Sequence, residues 1–359
     1  MNLWKYRVLP ALLGVCLGVA GMTPPAGAQV LPSPDAPPVS NAPDTSNQVV
    51  QMKVPKLKVN VELVNFYFTA FNRHHGLVDD LTREDCKLAE NGVPQRITHW
   101  TANANQPLTL GILLDTSGSQ EDVLPLEKQS AERFLRDVLR PKDRAFVVTF
   151  DVGVRLRQDF TNNLTLLDDA LKSAQINTAG GGGSVGIPGL GQGTVPTVGT
   201  PKGTVLYDAV AETSNDKLRL QPGRKALILL TDGEDFGSVT RPGTAIADAI
   251  KANAIVYVIL IADRSFYNGY TFGYTGAAQM QRLTEATGGR VIDVGNNGRK
   301  LDEAFREIAQ ELRTQYFVSY TPTDKKQDGT FRKVRIHCDR KGLKIDARKG
   351  YYAIATAGN

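Results

Sequence analysis

Two carboxylates and three hydroxyls carry the chemistry this sequence offers. Asp115, Ser117 and Ser119 lie in LGILLDTSGSQ, Thr204 opens TVLYDA, and Asp232 follows the apolar run of KALILLTDGED. The first three have D-x-S-x-S spacing and come directly after 108–114, an apolar run of strand length. The run at 226–230, before Asp232, is equally apolar. Such runs read as strands buried on both faces of a parallel sheet. Open α/β sheets bind ligands just beyond the carboxyl ends of their strands, so three chain segments bring oxygen atoms toward one point. Oxygen ligands without His or Cys suit a hard divalent cation, Mg²⁺ ahead of Mn²⁺ or Ca²⁺. Taken alone, DTSGSQ is also an ordinary strand-to-helix turn, because Asp, Ser and Thr cap helices and Gly suits turns. Thr204 and Asp232, in order and each in its own local context, favour the metal.

The elements that must hold these residues alternate along the middle of the chain. Strands are expected at 108–114, 144–150, 226–230, 255–262 and 290–294. Helices are expected at 123–139, where Leu124, Phe134, Leu135 and Val138 share an apolar side, and at 164–174, 205–214, 245–252, 277–287 and 300–313. This alternation predicts an α/β fold with a doubly wound, mostly parallel sheet. The ends of the chain alternate at strand period instead. Segments 57–61, 64–68, 86–88 and 97–100 precede the α/β part, with Asn91-Gly92 marking a hairpin. Segments 315–320, 331–338, 342–347 and 351–354 follow it. Neither end can build a core alone. The expectation is one small β-sandwich made from both ends, with the α/β domain inserted between them.

The blocks DTSGS, TVLYDA and LLTDGED resemble a von Willebrand factor type A domain carrying a metal-ion-dependent adhesion site. The resemblance covers roughly 107–321 and implies a Rossmann-like α/β domain. It implies that Asp115, Ser117 and Ser119 bind the metal through side-chain oxygens, that Thr204 binds it directly or through water, and that Asp232 acts through water. A sixth position is left for an acidic group on a partner. LTREDCKLAENGVPQRITHW and DGTFRKVRIHCDRKGLKIDARKGYY are similar to blocks of the secreted von Willebrand factor A-related proteins of some soil bacteria. The chain departs from that pattern by placing Cys86 and Cys338 where apolar residues are expected. Each shares strand parity with apolar neighbours, so both face one core. A disulfide between them and a pair of buried free thiols are the two readings.

At 359 residues the chain is long enough for two domains. Lys5 and Arg7, the apolar stretch 8–20 and Ala26-Gly27-Ala28 read as a signal peptide over 1–28, and hence a secreted or periplasmic protein. No later segment is long and apolar enough to span a membrane. Removing Lys5 and Arg7 lowers the formal charge from +5 to +3. With no block of basic residues either, nucleic acid is excluded as a partner. Residues 29–55 are rich in Pro, Ser, Asn and Asp and read as a disordered linker. The organisation is then 56–103 as the first part of the sandwich, 104–314 as the α/β domain and 315–355 as the second part.

Two loops could add contacts: the Gly-rich 178–203, just before Thr204, and the aromatic 266–274. Three motifs are set aside. Gly182-Gly183-Ser184-Val185-Gly186 has the spacing of a serine nucleophile but no strand before it. His74-His75 falls in a turn with no third ligand nearby. No glycine motif for a nucleotide follows any strand.

These observations predict a cation-dependent, adhesion-type module that engages an Asp or Glu carboxylate of a protein partner, and not an enzyme. Ser and Thr are neutral, so only Asp115 and Asp232 offset the dication, and what they leave uncompensated favours an acidic ligand. Glu234 and Asp235 are candidates for outer hydrogen bonds or for repelling some acidic partners, with Asp151 and Asp208 as weaker ones. Asp208 is expected to face a backbone amide or to cap its helix. The alternatives are a metal-dependent hydrolase, which would need more acids and a base, or an envelope protein with a purely structural ion.

Overall fold

The computed structural model describes residues 63–177, 203–261 and 274–354. The signal peptide, the linker, strand 57–61, almost all of the Gly-rich segment and all but the last residue of the aromatic one lie outside the described residues.

Five strands make the parallel part of the central sheet: β5 (Leu108–Asp115), β6 (Arg144–Phe150), β8 (Arg224–Thr231), β9 (Ala254–Leu260) and β10 (Val291–Asp293). A sixth, β7 (Val154–Thr161), runs antiparallel to β6 at the edge, and the order is β10-β9-β8-β5-β6-β7. β7 is not among the expected strands. Its Leu156 is 47% exposed and its pairing slips twice, at Ala145/Val147 and Val147/Val148, so no clean alternation marks it.

Alternate residues of the central strands bury on opposite faces. Leu110, Ile112 and Leu114 join a core with α1 (Leu124–Val138), α2 (Leu164–Ser173) and α6 (Gly298–Arg313). Leu113, Leu227 and Leu229 join the core of the other face with α3 (Leu206–Glu212), α4 (Pro242–Lys251) and α5 (Gly276–Thr287). This is the mixed α/β fold with a mostly parallel sheet that the alternation predicts. α3 continues into a π-helical turn, Thr213–Leu218, that the sequence does not announce.

The remaining strands come from both ends of the chain. β1 (Val64–Phe71), β4 (Ile97–Thr101), β11 (Tyr316–Tyr320) and β13 (Lys344–Ala347) form one sheet, ordered β13-β1-β11-β4. β2 (Cys86–Glu90), β3 (Val93–Gln95), β12 (Phe331–Cys338) and β14 (Gly350–Tyr352) form another, ordered β14-β12-β2-β3. They share a core in which Phe68 stacks on Tyr316, with ring centroids 4.8 Å apart. Cys86 and Cys338 stand directly opposite each other on β2 and β12 and are joined by a disulfide within that core. The returning segment also touches the α/β layers: Lys349 N–H donates to Ala286 C=O of α5, and Arg348 Nη1 donates to Ile250 C=O of α4 at 3.4 Å.

Candidate metal centre

β5 and β8 are neighbours in the sheet, yet the chain leaves β5 toward β6 on one side and returns to β8 on the other. Their carboxyl ends therefore flank the point where the winding changes direction, the usual crevice of such sheets. Asp115 is the last residue of β5, and Asp232 follows the last residue of β8.

The loop after β5 folds back on its own carboxylate. Ser117 N–H donates to Asp115 Oδ1 at 3.0 Å, and a 3-10 turn, Gly118–Gln120, turns the chain toward α1. This turn carries Ser117 Oγ and Ser119 Oγ to within 3.1 Å of each other. Ser119 Oγ donates to Asp232 Oδ2 at 2.5 Å. Two residues not singled out in the sequence complete the set. Thr231 Oγ1 donates to Asp115 Oδ2 at 2.6 Å, and Gln120 Nε2 donates to Asp232 Oδ2 at 3.1 Å. Asp115, Ser117, Ser119 and Asp232 thus form one hydrogen-bonded run, joined through Ser117 N–H at its first step and through side-chain oxygens after it. Asp115 and Asp232 are both buried, and burial, followed by the charge of Asp232, raises the Asp115 carboxyl above the usual carboxylate range.

Thr204 is held by backbone bonds to the loops that follow β8 and β6. Its C=O accepts from Phe236 N–H at 3.0 Å, and the next N–H, of Val205, donates to Asp151 C=O at 2.8 Å. Asp151 ties this segment to the β5 loop by accepting from Thr116 Oγ1 at 2.9 Å and from Asn177 Nδ2 at 3.1 Å. Burial raises the Asp151 carboxyl, but Arg155, Thr116 and Asn177 together hold it below the ordinary range. Asp151 is therefore a structural clasp between three loops.

The donor set fits a hard cation. It is all oxygen, two carboxylates and uncharged hydroxyls, and burial together with mutual repulsion makes the Asp115–Asp232 pair costly without positive charge between them. Among the described residues no group of three or more His, Cys, Asp or Glu side chains could hold a metal, so any cation here depends on the hydroxyls.

No protein-family model matches the chain, and no curated protein matches it in sequence. Among solved structures it is similar to BatB, a conserved hypothetical protein from Bacteroides thetaiotaomicron, at 17% identity, covering 58% of this chain and 100% of that one, with a TM-score of 0.43. It is similar to a von Willebrand factor type A protein from Catenulispora acidiphila at 13% identity, covering 84% and 76%, with a TM-score of 0.44. It is also similar to proximal thread matrix protein 1 of the mussel byssus, whose MIDAS motif is occupied by zinc in that structure, at 12% identity, covering 62% of this chain and 49% of that one, with a TM-score of 0.43.

The two acids after Asp232 turn away to helix ends. Glu234 accepts from the N–H groups of Thr275 and Gly276 and from Thr275 Oγ1, which caps α5. Asp235 accepts from Leu206 N–H at 2.9 Å and from Ser238 Oγ at 2.5 Å, which caps α3. These bonds place both carboxylates at helix ends, while the outer bond to Asp232 comes from the Glu234 backbone, whose N–H donates to Asp232 Oδ1 at 3.0 Å. Gly276 lets α5 approach, because a Cβ there would overlap the Asp232 carbonyl. Asp208 accepts from Val239 and Thr240 N–H, so it serves backbone amides as expected, although on the loop after β8 and not within its own helix. His74 and His75 are exposed in the turn after β1. Among the described residues no helix is long and apolar enough to cross a membrane.

Proposed function

We propose that this chain is an exported, divalent-cation-dependent protein-binding module of the von Willebrand factor A type. The metal centre consists of Asp115, Ser117, Ser119, Thr204 and Asp232, and its ion is Mg²⁺, with Mn²⁺ or Ca²⁺ as substitutes. The hydrogen-bonded run from Asp115 through Ser117 and Ser119 to Asp232, at the switch point of the sheet, is the observation that carries this reading. In it the α/β domain, 104–314, is an insertion in a β-sandwich formed by 56–103 and 315–355, behind a signal peptide and a linker.

The cation supplies localised positive charge and an open coordination position. The protein's part is to keep the ligand oxygens apart and aimed. Thr231 and Ser117 N–H hold the two oxygens of Asp115, while Ser119 and Gln120 hold Asp232. Asp115 and Asp232 neutralise the ion in sum, but the open position gives a partner's carboxylate direct ligation to the metal.

Capture of partners from an envelope extract with Mg²⁺ or with EDTA tests the reading. Capture by the wild-type chain that requires both the ion and Asp115 supports it. Capture by Asp115→Ala in EDTA equal to that of wild type in Mg²⁺ overturns it.

A further inference from the structure

α1 carries a carboxylate where its pattern calls for an apolar side chain. Leu124, Ala131, Phe134 and Val138 form the buried stripe of this helix, and Glu127 lies on the same stripe, fully buried. Neither of its carboxyl oxygens has a hydrogen-bond partner among the described residues. Burial, and then the charges of Asp115 and Asp232, push its carboxyl well above the usual carboxylate range. Gln120, in the turn between Ser119 and α1, adds a third atom of this kind. Its Nε2 donates to Asp232, while its Oε1 is buried and has no partner among the described residues.

Once ionised, Glu127 presents two acceptors that, like Gln120 Oε1, need a donor, and a buried carboxylate without one is expensive to keep. Water on a divalent cation is such a donor: Mg²⁺ retains several of its waters when protein-bound, and the ion's charge strengthens their O–H groups as donors. Glu127 does not complete a three-carboxylate cage, since no such group is close enough among the described residues. It acts at one remove from the ion.

We propose that Glu127, together with Gln120 Oε1, receives hydrogen bonds from cation-bound water and so anchors the hydrated ion against Asp115 and Asp232. This rests on the metal-centre reading above. Its negative charge strengthens the hold on the cation and reduces the pull on an acidic ligand, so Glu127 sets the balance between the two.

Glu127→Gln keeps the shape and removes the charge. Mn²⁺ is titrated into the full chain as wild type, Glu127→Gln and Asp115→Ala, and thermal unfolding of each is followed with and without the ion. The expected result is a Glu127→Gln protein at least as stable as wild type without metal, yet binding Mn²⁺ about tenfold more weakly, with no binding by Asp115→Ala. Equal affinity of wild type and Glu127→Gln, with Asp115→Ala still silent, overturns the role of Glu127 and leaves the metal centre standing. A metal-free Glu127→Gln protein less stable than wild type also overturns it, because Glu127 would then be a packing residue. Failure of wild type to bind, or binding indifferent to Asp115, overturns both.

Discussion

Ser119 donates a 2.5 Å hydrogen bond to Asp232, a residue 113 positions away in sequence. This bond joins the loop that leaves β5 to the loop that leaves β8. Ser119→Ala therefore removes a ligand and a brace together. In the metal-free protein the loss is one hydrogen bond to a charged group, about 1.5–3 kcal/mol. With Mg²⁺ present the stabilisation by the ion is lost as well, about 2.7 kcal/mol at an ion concentration one hundred times Kd. Thermal unfolding with and without Mg²⁺ separates the two.

The burial of Asp115, and then the charge of Asp232 beside it, set the pH dependence. Because the Asp115 carboxyl is raised in the fold, the metal-free folded state keeps a proton that the unfolded chain gives up. The contribution of this group to stability is therefore present at acid pH and falls as pH rises from the ordinary Asp range toward neutrality. Asp115→Asn abolishes that fall, and the difference between the two proteins in denaturant titrations across this range isolates it. Protons and cation compete for the same oxygens, so wild-type affinity for Mg²⁺ weakens from about pH 8 to about pH 6.

Glu234 caps α5, so its loss is a matter of stability. Glu234→Ala costs about 1 kcal/mol or somewhat more through the orphaned N–H groups of Thr275 and Gly276. Cation affinity stays at the wild-type value. A parallel loss of affinity would place this carboxylate in the metal's surroundings instead.

Glu90 anchors the core shared by the two end-built sheets. It accepts from Tyr320 Oη at 2.7 Å and Tyr351 Oη at 3.0 Å, and it pairs with the buried Arg332. Glu90→Ala leaves the hydroxyls of Tyr320 and Tyr351 without their acceptor, while Arg332 keeps Asp324 at 2.8 Å, and costs about 1–3 kcal/mol. Glu90→Gln keeps both tyrosine bonds and costs less. Chemical denaturation of the two variants gives the order directly.

The Cys86–Cys338 disulfide closes a loop of 252 residues. Its removal in a Cys86→Ser, Cys338→Ser double variant destabilises the protein by about 2–5 kcal/mol. The same loss appears when the wild-type chain is melted in a thiol reductant, and the double variant is insensitive to that reductant.

What could be read from the sequence follows from where each interaction lies. The runs before Asp115 and Asp232 are apolar throughout because β5 and β8 are covered on both faces, so the centre of the sheet and its two acids were legible together. β7 was not, because an edge strand with slipped pairing keeps no period of two. The helix-capping bonds of Glu234 and Asp235 were hidden for a different reason. They are near Asp232 in sequence, but their partners, Thr275 and Leu206, come from distant segments that only the fold brings close. Glu127 sits at the spacing of Leu124 and Ala131, so helical period places it on the buried stripe, yet its charge reads locally as a surface residue.

Calorimetric titration of Mg²⁺ into the metal-free wild-type chain and into Asp115→Ala is the most direct test of the metal centre. A saturable site in wild type that vanishes in Asp115→Ala is the expected result. Identical heats from the two proteins would mean that these oxygens hold no cation, and the proposed function would fall with the site.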